Sequence, residues 1–63
     1  MLDDRIFHKT VNGLLKRGYR PDKAVMNDIR KTIASSYPEE KEHPYFILGL
    51  VCDYGFLIGI TTE

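Results

Sequence analysis

The C-terminal part of the chain is a nearly uninterrupted apolar run, and it constrains any fold that this sequence can adopt. Between Tyr45 and Ile60 the only charged residue is Asp53. As a helix the run is apolar on nearly every side, and as strands it is apolar on both faces. Such a segment is expected to be buried from all directions, yet the chain has only 63 residues with which to cover it.

This length predicts one small domain, residues 1–63. A chain of this size buries roughly 60% of its unfolded surface, so the free energy of unfolding is expected to be only a few kcal/mol. The apolar run is shorter than the ~20 residues of a membrane-spanning helix, so no membrane partner is expected. A single cysteine excludes an intrachain disulfide, and Asp3 and Asp4 are unlike the positively charged start of a signal peptide. We therefore expect a cytoplasmic protein.

Two amphipathic helices are predicted ahead of the apolar run. The first spans residues 3–17, and Gly18 has the position of a left-handed C-terminal cap. The second spans about residues 21–35, with Pro21 at its first position and Asp22 in its first turn. The predicted buried faces consist of Phe7, Val11, Leu14 and Leu15 in the first helix, and of Val25, Met26, Ile29 and Ile33 in the second.

Three further residues of the first helix refine this packing prediction. Ile6 and Leu2 lie off the main apolar stripe and are candidates for a second contact. Gly13 weakens an isolated helix by up to ~1 kcal/mol relative to alanine. Its presence is explained by the close approach of a neighbouring helix.

A third helix is predicted from Pro44 to about Tyr54, after a charged connection at residues 37–43. Gly55 followed by Phe56 is typical of a helix C-terminus, so residues 56–60 are expected to pack back as an irregular tail or another turn. The preferred fold class is thus mostly α, a small three-helix domain.

The alternative fold class is α+β, with the two helices packed on a C-terminal β-hairpin of strands 45–51 and 56–62. Aromatic and β-branched residues favour strands, and Asp53 with Gly55 favours a turn between them. Periodicity does not separate a helix from a strand in a fully apolar run. The helix is preferred because proline before it and glycine after it repeat the signals around the first two helices.

Neither catalysis nor cofactor or metal binding is expected. Cys52 is the only thiol, and its apolar surroundings predict a buried and inert side chain. His8 and His43 fall in different elements and do not combine with it into a catalytic group. One cysteine and two separated histidines do not match the four closely spaced ligands of a structural zinc site. We expect a protein that is not an enzyme.

The main functional prediction follows from the apolar excess. The first two helices offer about eight apolar partners, fewer than residues 44–60 require for burial. Part of that segment is therefore expected to contact another chain, either a protein partner or a second copy in a homodimer. The predicted function is a small non-enzymatic interaction or regulatory module. The predicted partner-binding residues are Tyr45, Phe46, Leu48, Tyr54 and Phe56.

The alternative function is a nucleic-acid-binding regulator. Residues 5–31 carry eight lysines and arginines against two aspartates, although the whole chain has a formal net charge of +0. If the first two helices pack antiparallel, their basic residues are candidates for one phosphate-binding patch. The candidate nucleic-acid-binding residues are Arg5, Lys9, Lys16, Arg20, Lys23 and Arg30.

Overall fold

The protein folds into a helical domain, seen in a computed structural model that describes residues 1–61. Its helices are α1 (Leu2–Lys16), α2 (Lys23–Ser35), the single-turn α3 (Pro38–Lys41) and α4 (Tyr45–Thr61). These residues contain no strand. The predicted three-helix domain is confirmed, with α3 added in a connection. The β-hairpin alternative is wrong for residues 45–61, and its residue 62 lies outside the described residues.

The first helix ends in the way that its glycine predicts. Gly18 has a φ of 86°, in the left-handed region where glycine carries no steric penalty. Its N–H donates to the Leu15 carbonyl, and the Tyr19 N–H donates to the Leu14 carbonyl, each over 3.0 Å. These two bonds form a Schellman motif. The motif turns the chain away from α1 towards α2.

The second helix begins two residues later than predicted. Asp22 adopts an extended conformation, and its Oδ1 accepts a hydrogen bond from the Val25 N–H over 2.9 Å. Asp22 is therefore the N-cap rather than a residue of the first turn, because its carboxylate satisfies an amide that has no partner within the helix. Pro21 directly precedes the N-cap, and its ring restricts the direction from which the chain enters α2.

The predicted charged connection contains the short helix α3. The Glu40 carboxylate accepts a hydrogen bond from the Tyr37 N–H over 3.2 Å, which closes the first turn. Lys41 Nζ lies 3.0 Å from Asp3 Oδ1 and ties α3 to the start of α1. This ion pair links remote parts of the chain and positions α3 against the start of α1.

The last helix does not end at Gly55, and this corrects the predicted boundary. α4 continues to Thr61, so residues 56–60 form its last turns rather than an irregular tail. Gly55 stays helical because Tyr54 and Ile58, one turn apart, are both buried and hold the helix on the core. A Cβ at Gly55 would lie 3.1 Å from Tyr19 Cε2. Here glycine makes room for a ring and does not stop the helix.

The core lies between α1, α2 and α4. Gly13 of α1 faces Val51 of α4 so closely that a Cβ at Gly13 would lie 2.8 Å from Val51 Cγ2. The expected role of Gly13 in a close helix approach is therefore confirmed. The buried apolar residues are Ile6, Phe7, Leu14, Ile29, Ile33, Leu50, Val51, Tyr54 and Ile58.

The buried face of α1 is rotated relative to the prediction. Ile6 is 2% exposed and belongs to the core, whereas Leu15 is 51% exposed. The rotation follows from the contact with α4, which passes through Gly13 and draws the neighbouring Ile6 side of the helix inward. In α2 the prediction is confirmed for Ile29 and Ile33, which are buried.

Candidate protein interface

The side of α4 opposite the core has no charged residue. At 100° per residue, seven positions fall within about 120° of one another around the helix. We call them the outer face of α4: Tyr45, Leu48, Gly49, Cys52, Phe56, Gly59 and Ile60. The buried residues Leu50, Val51, Tyr54 and Ile58 all lie at least about 120° from Phe56 around the same helix. Asp53 stands at the edge of the outer face.

The large side chains of the outer face are exposed to solvent in the single subunit. Phe56 is 71% exposed, Tyr45 69%, Ile60 55% and Leu48 46%. A helix at a protein surface normally presents charged and polar residues on the side away from the core. The outer face of α4 is thus the part of the predicted apolar excess that the domain leaves uncovered.

The N-terminal end of the outer face is held by the residues that precede α4. The Tyr45 N–H donates to His43 Nδ1 over 3.2 Å, and the two rings lie 5.3 Å apart between centroids. The Phe46 N–H donates to the His43 carbonyl over 3.0 Å. His43 therefore helps to start the helix, and it borders the Tyr45 ring on the surface.

The five predicted partner-binding residues divide between the surface and the core. Tyr45, Leu48 and Phe56 lie on the outer face. Phe46 is half-buried and packs against the core. Tyr54 is 7% exposed, so its ring does not form part of a surface. The assignment of Tyr54 to a contact surface is corrected, since one turn of helix separates the side chains that point inward from those that point outward.

Tyr54 instead anchors α4 to α2 through a small polar network. Its hydroxyl donates to Asp28 Oδ2 over 2.7 Å and lies 2.7 Å from Thr32 Oγ1. Because the carboxylate only accepts, Thr32 is the donor in the second bond. Burial raises the pKa of the Tyr54 hydroxyl and Asp28 raises it further, while the Thr32 hydrogen bond acts in the opposite direction. The network fixes which side of α4 faces inward.

Cys52 lies on the outer face and is exposed, which corrects its predicted burial. The prediction assumed an apolar segment covered on all sides, whereas α4 is covered on one side only. Gly49, Gly59 and Ile60 also lie on the outer face, and they are not among the predicted partner-binding residues. Their common signal is spacing, since from Tyr45 the outer-face residues recur every three or four positions. That signal is readable only if the helix continues through Gly55.

The six candidate nucleic-acid-binding residues are all exposed, but Arg30 is set apart from the basic residues of α1. Arg30 Nη1 lies 3.6 Å from Asp4 Oδ1, and its guanidinium carbon lies 3.9 Å from the centroid of the Phe7 ring. Asp4 and Phe7 are about 120–180° around α1 from Lys9 and Lys16. Arg30 is therefore separated from the basic row on α1, which weakens the predicted phosphate-binding surface. Nucleic-acid binding stays a prediction.

Within residues 1–61, no three His, Cys, Asp or Glu side chains are grouped so that they could hold a metal ion. None of the helices over the same range is long and apolar enough to cross a bilayer.

Comparison with known proteins finds no family model, no curated protein and no solved structure that matches this chain.

Proposed function

We propose that the protein is a small non-enzymatic interaction or regulatory module. It binds a protein partner through the outer face of α4. The observation that carries the proposal is the exposure of Phe56 and Tyr45, each about 70% exposed on a helix side without charge. Aromatic side chains are enriched at the centres of protein interfaces, and charged ones are depleted there. The outer face has this composition.

The area of the outer face supports the same proposal. An aromatic side chain presents roughly 150–250 Å² and a leucine or isoleucine somewhat less, so the exposed fractions amount to about 500 Å² per subunit. Apolar patches of about 300–600 Å² are the largest found on typical monomers and are often functional. A patch at the upper end of that range on so small a domain favours a contact surface.

The fixed position of α4 in the domain favours it as the element that contacts a partner. Its inner side is fixed by Tyr54 and by the Gly13 contact with Val51, so the outer face is held in place before any partner binds. Binding to such a face does not require the helix to fold first, and the entropic cost of association is therefore reduced.

The proposal is tested by photo-crosslinking in cells that express the full chain. A benzoylphenylalanine placed at position 56 probes the outer face, and the same group at position 31, where Lys31 is exposed on α2, is the control. We expect a defined protein adduct from position 56 and none from position 31. If position 56 yields no adduct, or the same adducts as position 31, the outer face is not a contact surface.

A further inference from the structure

We infer that the partner of the outer face is a second copy of this chain, packed antiparallel so that the Cys52 residues of the two copies meet at a two-fold axis. This inference rests on the proposed function, because it names the partner of the same surface. Three properties of the outer face favour a second copy: its area, the order of its side-chain sizes and the lack of charge on it.

The area suffices for a two-fold pair. Two copies that cover each other's outer faces remove about 1,000 Å² from water in total, which is about the minimum for a specific interface. Interfaces at this low end of the range are weak, so we expect a dissociation constant in the micromolar range. The face itself carries no charge, and the two Asp53 carboxylates that an antiparallel pair brings to one edge stay in solvent, which screens their repulsion.

The order of side-chain sizes along α4 is complementary to itself in the antiparallel direction. From the N-terminal end the outer face runs Tyr45, Leu48, Gly49, Cys52, Phe56, Gly59 and Ile60, so each half of it has a glycine beside a large side chain. An antiparallel pair centred on Cys52 places the Tyr45 ring over Gly59 of the other copy. It also places Phe56 level with Leu48 of the other copy and beside its Gly49. Large side chains facing small ones allow the dense packing of a protein interior.

A parallel pair in register lacks this complementarity. It would place Phe56 against Phe56 and Gly49 against Gly49, which crowds one level of the interface and leaves the other empty. Voids and overpacking are both destabilising, each by on the order of 1–3 kcal/mol. The antiparallel arrangement avoids both.

The antiparallel pair also makes a geometric prediction for Cys52. Packed helices lie about 8–10 Å apart, and Cα atoms sit about 2.3 Å from each axis. Two Cα atoms at the crossing point are then about 3.4–5.4 Å apart, and the upper part of this range is one that a disulfide spans. Under mild oxidation the two thiols would lose their hydrogens to the added oxidant and form one sulfur–sulfur bond.

The test is disulfide crosslinking of the purified full chain under mild oxidation. We expect native protein to give a two-chain product through Cys52, at a rate well above that of a Lys31→Cys, Cys52→Ser control. To fix the direction, Tyr45→Cys and Gly59→Cys are each made with Cys52→Ser. We expect these two variants to crosslink when mixed and much less when each is oxidised alone.

Other outcomes overturn the inference. Efficient crosslinking of the Tyr45→Cys, Cys52→Ser variant with itself would show a parallel pair. Crosslinking of native protein no faster than the Lys31→Cys control, with single-chain mass by light scattering at millimolar concentration, would exclude a second copy. If position 56 then still gives an adduct with a different protein in cells, the proposed function stands and only this inference fails. If it gives none, both fail.

Discussion

Leu14→Ala is expected to cost about 2–5 kcal/mol of stability, whereas Leu15→Ala is expected to cost less than about 1 kcal/mol. The two leucines are neighbours in one helix and lose the same atoms. Leu14 is 0% exposed and its truncation leaves a cavity in the core, while Leu15 is 51% exposed. In a domain with only a few kcal/mol of stability, the first change leaves much of the protein unfolded.

Urea unfolding followed by circular dichroism, at one low protein concentration, measures both costs. If Leu14→Ala is too unstable to give a folded baseline, Leu14→Met serves as the conservative comparison and is expected to cost less than about 1.5 kcal/mol. Equal costs for Leu14→Ala and Leu15→Ala would contradict the orientation of α1 in this fold.

Phe56→Asp is expected to weaken self-association at least about 30-fold, since removing an aromatic anchor at an interface commonly costs 2 kcal/mol or more. The new carboxylate would also be buried without a partner. The isolated subunit should keep most of its stability, because Phe56 is 71% exposed and contributes little to the core. The effect is therefore on assembly and not on folding.

Thermal unfolding as a function of protein concentration separates these two effects. A protein that is stabilised by dimerisation unfolds at a higher temperature as its concentration rises. We expect this rise for the native chain and for the exposed-site control Lys31→Asp, but not for Phe56→Asp. An unfolding midpoint of the native chain that stays constant from micromolar to millimolar concentration would argue against the dimer.

Much of the fold is predictable from local signals along the chain. The cap at Gly18 and the core positions Ile29 and Ile33 agree with the sequence-based prediction, because each depends on one backbone conformation or one helical repeat. Gly13 likewise marks a close helix contact, as predicted. These features are specified by residues near one another in the sequence.

The sequence-based prediction is wrong where two local structures are equally compatible with the sequence and a tertiary contact selects one of them. Gly55 has the local signature of a helix end, yet the burial of Tyr54 and Ile58 keeps the helix continuous. Leu15 fits the amphipathic stripe of α1, but the contact at Gly13 rotates the helix and leaves it exposed. The end of α4 and the buried side of α1 both depend on how the helices pack against one another. No local pattern in the sequence specifies that packing.

The candidate interface is predictable from the sequence as a segment but not as a face. Periodicity gives no direction when all sides of a helix are apolar, so the sequence predicts Tyr54 on the surface and Cys52 in the core. The hydrogen bonds from Tyr54 to Asp28 and with Thr32 supply the missing direction. They link residues more than twenty positions apart, which places them beyond any local signal.

The central claim is that protein covers the outer face of α4, and the reactivity of Cys52 tests it most directly. Cys52 is the only thiol of the chain and is exposed in the single subunit. Labelling by a thiol reagent is followed in native cell extract and with purified protein at rising concentration. We expect native protein to react at least about 10-fold more slowly than Phe56→Asp and to gain reactivity on dilution. Equal rates for the two proteins, in extract and at every concentration, would contradict the claim.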